Sequence, residues 1–240
     1  LLIQCDASQL EWRTILELSQ DEVGIAEVEA GEDTHSLNEK AFDLPSRLIA
    51  KIYLFRTIFR GSGWSFAHDP DFMHVSKDPK FWDAIGEKFY KKYEGIDRCH
   101  HRWAETVMKG EPLVGPLGRE WSINNRDKQG QVFVPWTTLT NYPVQGTGAD
   151  IMMLARVSFA RRLKATGWPV ILVSTVHDSI VVDAPNEYLE KVSNLMYQVF
   201  DDIPENIRRI FGYNWRVRMD CEVKYGPNMK DMEKFKRTDK

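Results

Sequence analysis

The feature that most restricts this chain is a pair of β-branched runs, residues 170–176 and 180–182, parted only by His177-Asp178-Ser179. Branched side chains suit a pleated, half-buried surface, and so short a polar break leaves room only for a tight reversal. The segment is expected to be an antiparallel hairpin with Asp178 at or near its tip. A second acid has a comparable setting. Residues 1–5 form a short apolar run suited to a buried strand, and from Ser8 onward Leu10, Ile15 and Leu18 lie near one helical face. Ser8-Gln9-Leu10-Glu11 matches a capping box, so Asp6 is expected where a strand hands over to a helix.

Between these acids the pattern is mostly helical. Pro45 precedes a helix over residues 46–59, closed by Gly61 and Gly63. Residues 80–109 read as one or two amphipathic helices broken near Gly95, with Phe81, Trp82, Ile85, Phe89, Tyr93 and Trp103 as the buried stripe. Residues 110–135 are turn-rich, with short strands expected about 120–123 and 131–134. Further helices are expected over 148–165 and 187–200, and a last strand over 215–223. Irregular alternation of this kind favours an α+β fold over a doubly wound parallel sheet, with residues 34–111 as a helical insertion between sheet-forming ends.

Composition adds bounds and no function. A chain of 240 residues, 42% hydrophobic, has enough apolar surface for one large domain or two packed lobes. Its 32 basic and 35 acidic residues nearly cancel, which fits a site needing acids for metals and bases for phosphates, and equally an ordinary enzyme. Cys5, Cys99 and Cys221 form no CxxC pair, which argues against a disulfide scaffold or structural zinc and for a reducing, cytoplasmic compartment. No apolar run reaches the roughly 18–20 residues of a membrane span. The chain opens Leu-Leu-Ile-Gln without methionine and is expected to be a piece of a larger polypeptide, or a processed or split product.

Three constellations carry chemistry. Asp6 and Asp178, if they meet, would supply the one or two carboxylates that magnesium prefers, its shell completed by phosphates and water. Taken singly, each aspartate reads as simply a turn or capping residue. Arg47, Lys51, Phe55 and Phe59 recur every fourth residue and spiral gently along one helix face. Such a stripe could clamp a triphosphate at one end and stack on a base at the other, or be solvated cations beside core rings. Asn141-Tyr-Pro-Val-Gln145-Gly-Thr-Gly-Ala-Asp150 reads as a polar loop leading into a helix, whose amides could reach minor-groove acceptors. Cys99-His100-His101 faces too many directions on a helix to be a metal site.

Taken in order, these segments resemble the DNA polymerase I family, the A-family polymerases. Cys5-Asp6-Ala7-Ser8-Gln9-Leu10-Glu11-Trp12-Arg13 is similar to its motif A, Arg47 through Phe59 to motif B, and Val176-His177-Asp178-Ser179 to motif C. Asp33-Thr34-His35, Leu117-Gly118-Arg119, the segment from Asn141 to Asp150 and the ending Glu222 to Met229 fall in the family's order, so the likeness covers nearly the whole chain. The resemblance implies an antiparallel palm sheet with a helical fingers insertion: palm 1–33, fingers 34–111, palm 112–240. It implies DNA-directed addition of dNTPs to a primer 3′-hydroxyl by two magnesium ions, on primer–template DNA. Asp6 and Asp178 would hold the ions, with the Ala7 carbonyl as a further ligand. Lys51 would also give a proton to the leaving pyrophosphate, beside the triphosphate contacts Arg47 and His35. Glu11 would disfavour a ribose 2′-hydroxyl, Phe55 would sense the 3′-hydroxyl, and Phe59 would stack. Gln9, Asn141, Gln145 and His177 would surround the nascent pair and primer end.

The chain departs from the family pattern in several places. Phe59-Arg60 stands for Tyr-Gly, Ser179 for a dispensable Glu, and Thr137 where arginine is common; the stretch before Arg47 is short, as in compact fingers of phage type. The family's thumb and exonuclease portion precede motif A and are expected on the same chain or another. Two rivals stay open. One is a metal-dependent nuclease, which would have no use for the stripe. The other is a non-catalytic half of a split polymerase that needs a thumb-bearing partner. Glu11 is the wrong residue for an RNA polymerase.

Overall fold

The computed structural model describes residues 1–238. The chain divides into two compact units, residues 1–10 with residues 147 onward, and residues 11–146. Packing thus groups residues 11–33 and 112–146 with the helical middle, a wider unit than the 34–111 stretch marked out by sequence.

Strand β1 (Leu2–Ala7) alternates half-buried and buried residues, as a strand with one face on a core should. The chain turns at Gln9, whose φ of 53° is left-handed, and α1 (Leu10–Ser19) starts two residues later than the capping-box serine. Ser8 is still committed to strand-like pairing, its N–H donating to the Asp220 carbonyl at 2.9 Å. Helices α2 (Glu22–Glu29) and α3 (Thr34–Ala41) are capped by Asp21 and Asp33. α4 (Arg47–Thr57) is capped by Ser46, whose Oγ accepts from Ile49 N at 3.2 Å. α5 (Gly63–Ala67), α6 (Pro79–Lys92) and α7 (Glu94–Met108) follow, the last two separated at Tyr93. The short pair β2 (Leu113–Val114) and β3 (Glu120–Trp121) is joined by an isolated Arg126–Val132 bridge where a further strand was expected.

Helix α8 (Trp136–Thr166) starts well before the expected residue 148, so Asn141 to Asp150 is helix and not loop. Pro143 inside it costs about 3 kcal/mol. Leu139, Val144 and Ile151 are each 0% exposed, and each is worth roughly 1.5–3 kcal/mol by burial, so packing outweighs the proline. The hairpin is β4 (Ile171–Val176) and β5 (Ser179–Asp183). Then come α9 (Leu189–Asp201) and α10 (Ile203–Phe211), the second unforeseen and closed by Gly212 at φ 69°. The last long strand, β6 (Cys221–Gly226), starts later than residue 215, because Trp215 Nε1 donates to the Val217 carbonyl at 2.8 Å and holds that segment in a local bend. A short edge, β7 (Glu233–Lys234), ends the described sheet.

In the first unit the strands lie in the order β4-β5-β1-β6-β7, each antiparallel to its neighbours. α9 packs on β1 and β6 through Val192, Met196, Val199 and Phe200. The edge strand β4 leaves Ile171, Val173 and Val176 exposed. In the second unit Tyr53, Phe66, Phe72 and Trp82 form an aromatic core, with ring centroids 4.8–5.7 Å apart. Phe81, expected in this stripe, is 40% exposed and only leans edge-on against Trp82. Asp21, 2% exposed, caps two helices: Oδ1 accepts from Gly24 N at 2.8 Å and Oδ2 from Gly95 N at 2.7 Å. A Cβ on Gly95 would lie 2.6 Å from the Asp21 Cα, so the position requires glycine. Among the described residues no helix is long and apolar enough to cross a membrane.

Candidate active site

In the sheet unit, register places the first constellation. β1 pairs with β5 so that Asp6 lies opposite Ser179, and the Ala7 N–H donates to the Asp178 carbonyl at 2.9 Å. The turn residue His177 has a left-handed φ of 52°, which folds the hairpin tip so that Asp178 lies beside the end of β1. Burial, then the charge on Asp178, push the Asp6 carboxyl above its ordinary range; Lys224 opposes them. Lys224 is itself drawn to Glu222 at 2.9 Å, opposite Asp6 on β6. Gln4 Nε2 reaches Asp6 Oδ2 at 3.4 Å. Ser179 turns inward, its Oγ donating to the Val176 carbonyl at 2.9 Å, so it adds no ligand.

Among the described residues no group of three or more His, Cys, Asp or Glu side chains forms a metal cage. A pair of carboxylates is nonetheless what magnesium takes when phosphates and water complete its shell. Burial and then the neighbouring Asp178 charge raise Asp6, and a bound cation would offset both penalties, so the residues present fit such an ion.

In the second unit α4 buries Ile49, Ala50, Tyr53, Leu54 and Thr57. The opposite side therefore carries Arg47 and Lys51, both exposed, then half-buried Phe55; Phe59, also half-buried, lies in the turn beyond the helix end at Thr57, so the expected helix over 46–59 stops before the last member of the stripe. The end of the stripe is tied down. Arg47 Nε donates to Asp33 Oδ2 at 2.6 Å and Nη2 to Oδ1 at 3.1 Å, while Asp33 also caps α3 through His35 N. The guanidinium hydrogen bonds hold the Asp33 carboxyl well below the usual range. His35 is buried with its ring centroid 6.1 Å from that of Phe55. Burial, then the Arg47 charge and, more weakly, Lys51, lower His35 to about 4, so it is a neutral imidazole at pH 7. Four of the sequence-marked residues, His35, Arg47, Lys51 and Phe55, are thus brought together. Asp33 has no assigned role in the sequence reading; its place at the cap of the helix carrying His35 is the local signal for it.

The remaining marked residues are more dispersed. Gln145 Nε2 donates to Glu11 Oε1, joining two residues 134 positions apart. Asn141 is half-buried in α8, His177 is exposed at the hairpin tip, and Gln9 occupies the turn after β1. Arg60 adopts a left-handed φ of 59°. Its guanidinium lies 4.1 Å from the Tyr90 ring centroid and 4.9 Å from that of Trp136. It also pairs with Asp97 at 2.6 Å and donates to His100 Nδ1 at 3.2 Å.

Comparison with known proteins decides the lineage. The family described as DNA polymerase family A matches residues 1–231. The chain belongs to DNA polymerase family A. It is 25% identical over 229 residues to DNA polymerase I of Aquifex aeolicus, covering 88% of this chain and 38% of that protein. Against DNA polymerase I of Lactococcus lactis subsp. lactis it is 28% identical over 232 residues, covering 90% of this chain and 26% of the relative. The solved POL domain of Pol1 from M. smegmatis, in complex with DNA primer-template and dNTP, superposes with a TM-score of 0.76 at 20% identity. That match covers 94% of this chain and 39% of the other, and shows the fold. The chain therefore spans roughly a quarter to two-fifths of the length of these family A proteins. Arg60 takes a left-handed backbone that favours glycine, and its guanidinium is fixed by two rings and an aspartate.

Proposed function

We propose that this chain is the catalytic portion of a DNA-directed DNA polymerase, extending a primer 3′ end with deoxynucleotides copied from a template. The observation that carries this reading is the β1–β5 register, which sets Asp6 beside the Asp178 turn. Asp6, Asp178 and the Ala7 carbonyl would hold two magnesium ions. When bound, such ions activate the attacking hydroxyl and offset charge on the transferred phosphate.

The chain's own residues do the rest. Arg47 grips the triphosphate by exchanging its Asp33 partner for phosphate oxygens, a geometry a guanidinium fork suits. Lys51, exposed one turn further on, gives a proton to the departing pyrophosphate. His35 is neutral and so acts as a hydrogen-bond donor to phosphate rather than as a second cation. Phe55 packs under the sugar beside its 3′-hydroxyl, Phe59 stacks on the base, and Glu11 occupies the volume a 2′-hydroxyl would need. Gln9, Asn141, Gln145 and His177 contact the nascent pair and primer end. The sheet-bearing ends would be palm (1–33 and 112–240) and the helical middle fingers (34–111). A thumb- and exonuclease-bearing portion, on this chain or another, would grip the duplex.

The test is primer extension with each deoxynucleotide and ribonucleotide in turn, with magnesium, by the chain alone and mixed with the upstream portion of a family A relative. Growth of the primer only after mixing would assign the chain to half of a split enzyme. Shortening without growth would make it a nuclease, and no reaction in either setting would end the polymerase reading.

A further inference from the structure

We propose that Gln145 is a positioning residue for Glu11 and thereby sets how strongly the site rejects ribonucleotides. This rests on the polymerase reading of Glu11. A glutamate excludes a 2′-hydroxyl only if its carboxylate stays where the sugar would put that oxygen. A partly exposed glutamate on the first turn of a helix has rotamers that swing it away. In this chain its Oε1 accepts a hydrogen bond from Gln145 Nε2, a charge-assisted contact.

The donor is itself fixed from behind. The neighbouring Gly146 is pressed against the Trp121 indole so closely that a Cβ there would lie 2.8 Å from the ring, and Val144 on its other side is 0% exposed. Helix α8 therefore presents the amide from a closely packed stretch of backbone. With one N–H spent on Glu11, the Gln145 amide keeps its second N–H and its carbonyl oxygen, so the same side chain can serve the sugar gate and the minor groove together.

The experiment compares kcat/KM for dATP and ATP in primer extension for the unaltered chain, Gln145→Leu and Gln145→Glu. Loss of one exposed charge-assisted hydrogen bond sets the scale at about five- to tenfold. The expected result is that Gln145→Leu lowers the deoxy-over-ribo ratio by that factor, whatever common loss both sugars share. Gln145→Glu, which puts a second carboxylate against Glu11, should lower it further. In a Glu11→Ala background Gln145→Leu should change the ratio less than about twofold, since the two changes act through one group. An equal loss for both sugars, as a plain DNA contact would give, overturns the proposal.

A second readout needs no turnover: equilibrium binding of dATP and ATP to the same proteins with calcium in place of magnesium. If the chain extends no primer, the polymerase reading fails. The dATP-over-ATP binding preference still decides the role of Gln145, supporting it if Gln145→Leu erodes the preference and overturning it if the preference is unchanged. Absence of binding to either nucleotide would overturn both.

Discussion

The sheet unit and the helical unit place their polar groups by opposite means. In the first, Asp6 and Asp178 are brought side by side by main-chain pairing, the Ala7 N–H on the Asp178 carbonyl, so strand register and not their carboxylates sets their places. In the second, side chains themselves tie the elements together: Asp21 caps both the helix that follows it and one whose Gly95 lies 74 residues on, Arg47 is clamped to Asp33, and buried His100 accepts from Arg60. Chemistry and stability should therefore separate cleanly in one unit and overlap in the other.

The sharpest way to break that contrast is Asp178→Asn. Removing one member of the carboxylate pair should cut primer extension by about a thousandfold or more, while circular dichroism and melting stay near those of the unaltered protein. A large loss of stability would mean the side chain, and not the strand register, builds the turn. Next in size is Lys51→Ala. Loss of a positioned proton donor should lower the single-turnover rate at saturating nucleotide by about a hundredfold. An unchanged rate with only weaker nucleotide binding would reduce Lys51 to a phosphate contact.

Acid should distinguish the units. His100 is 0% exposed, and burial, followed by the Arg60 and His101 charges, lowers it to about 3 from 6.5. The unfolded chain thus binds a proton that the native helical unit does not between those values. Stability is full above about pH 6.5 and is lost as pH falls towards 3, by on the order of a few kcal/mol. His35, at about 4, adds in the same direction. The sheet unit's histidine, His177, is exposed. Melts followed at pH 7 and pH 4.5 should show the helical unit yielding first, and His100→Gln should flatten that dependence. Equal acid sensitivity of both units would erase the distinction. The smallest effect expected is that of Asp21→Ala, a loss of about 2 kcal/mol from two missing caps, seen as a lower denaturation midpoint of the helical unit.

How far the sequence could be read follows from the range of each interaction. The hairpin, the strand end at Asp6 and the every-fourth-residue stripe on α4 are local patterns of period two or near four, and each stands close to where its residues announce it. The segment from Asn141 to Asp150 reads locally as a loop, because Pro143 and two glycines speak locally while the burial that overrules them is tertiary. α10 was passed over for a similar reason: its buried residues are only Ile203 and Ile207, too thin a pattern to stand out.

The amino-acid order alone determined which chemical groups exist and which share a strand end or a helix face, since those follow from backbone periodicity. Only tertiary structure decided that Asp33 holds Arg47, that Gln145 holds Glu11 and that Arg60 is caged by Tyr90, Trp136 and Asp97. Such partners lie 14 to 134 positions apart, and a contact across that separation leaves no periodic trace in either segment.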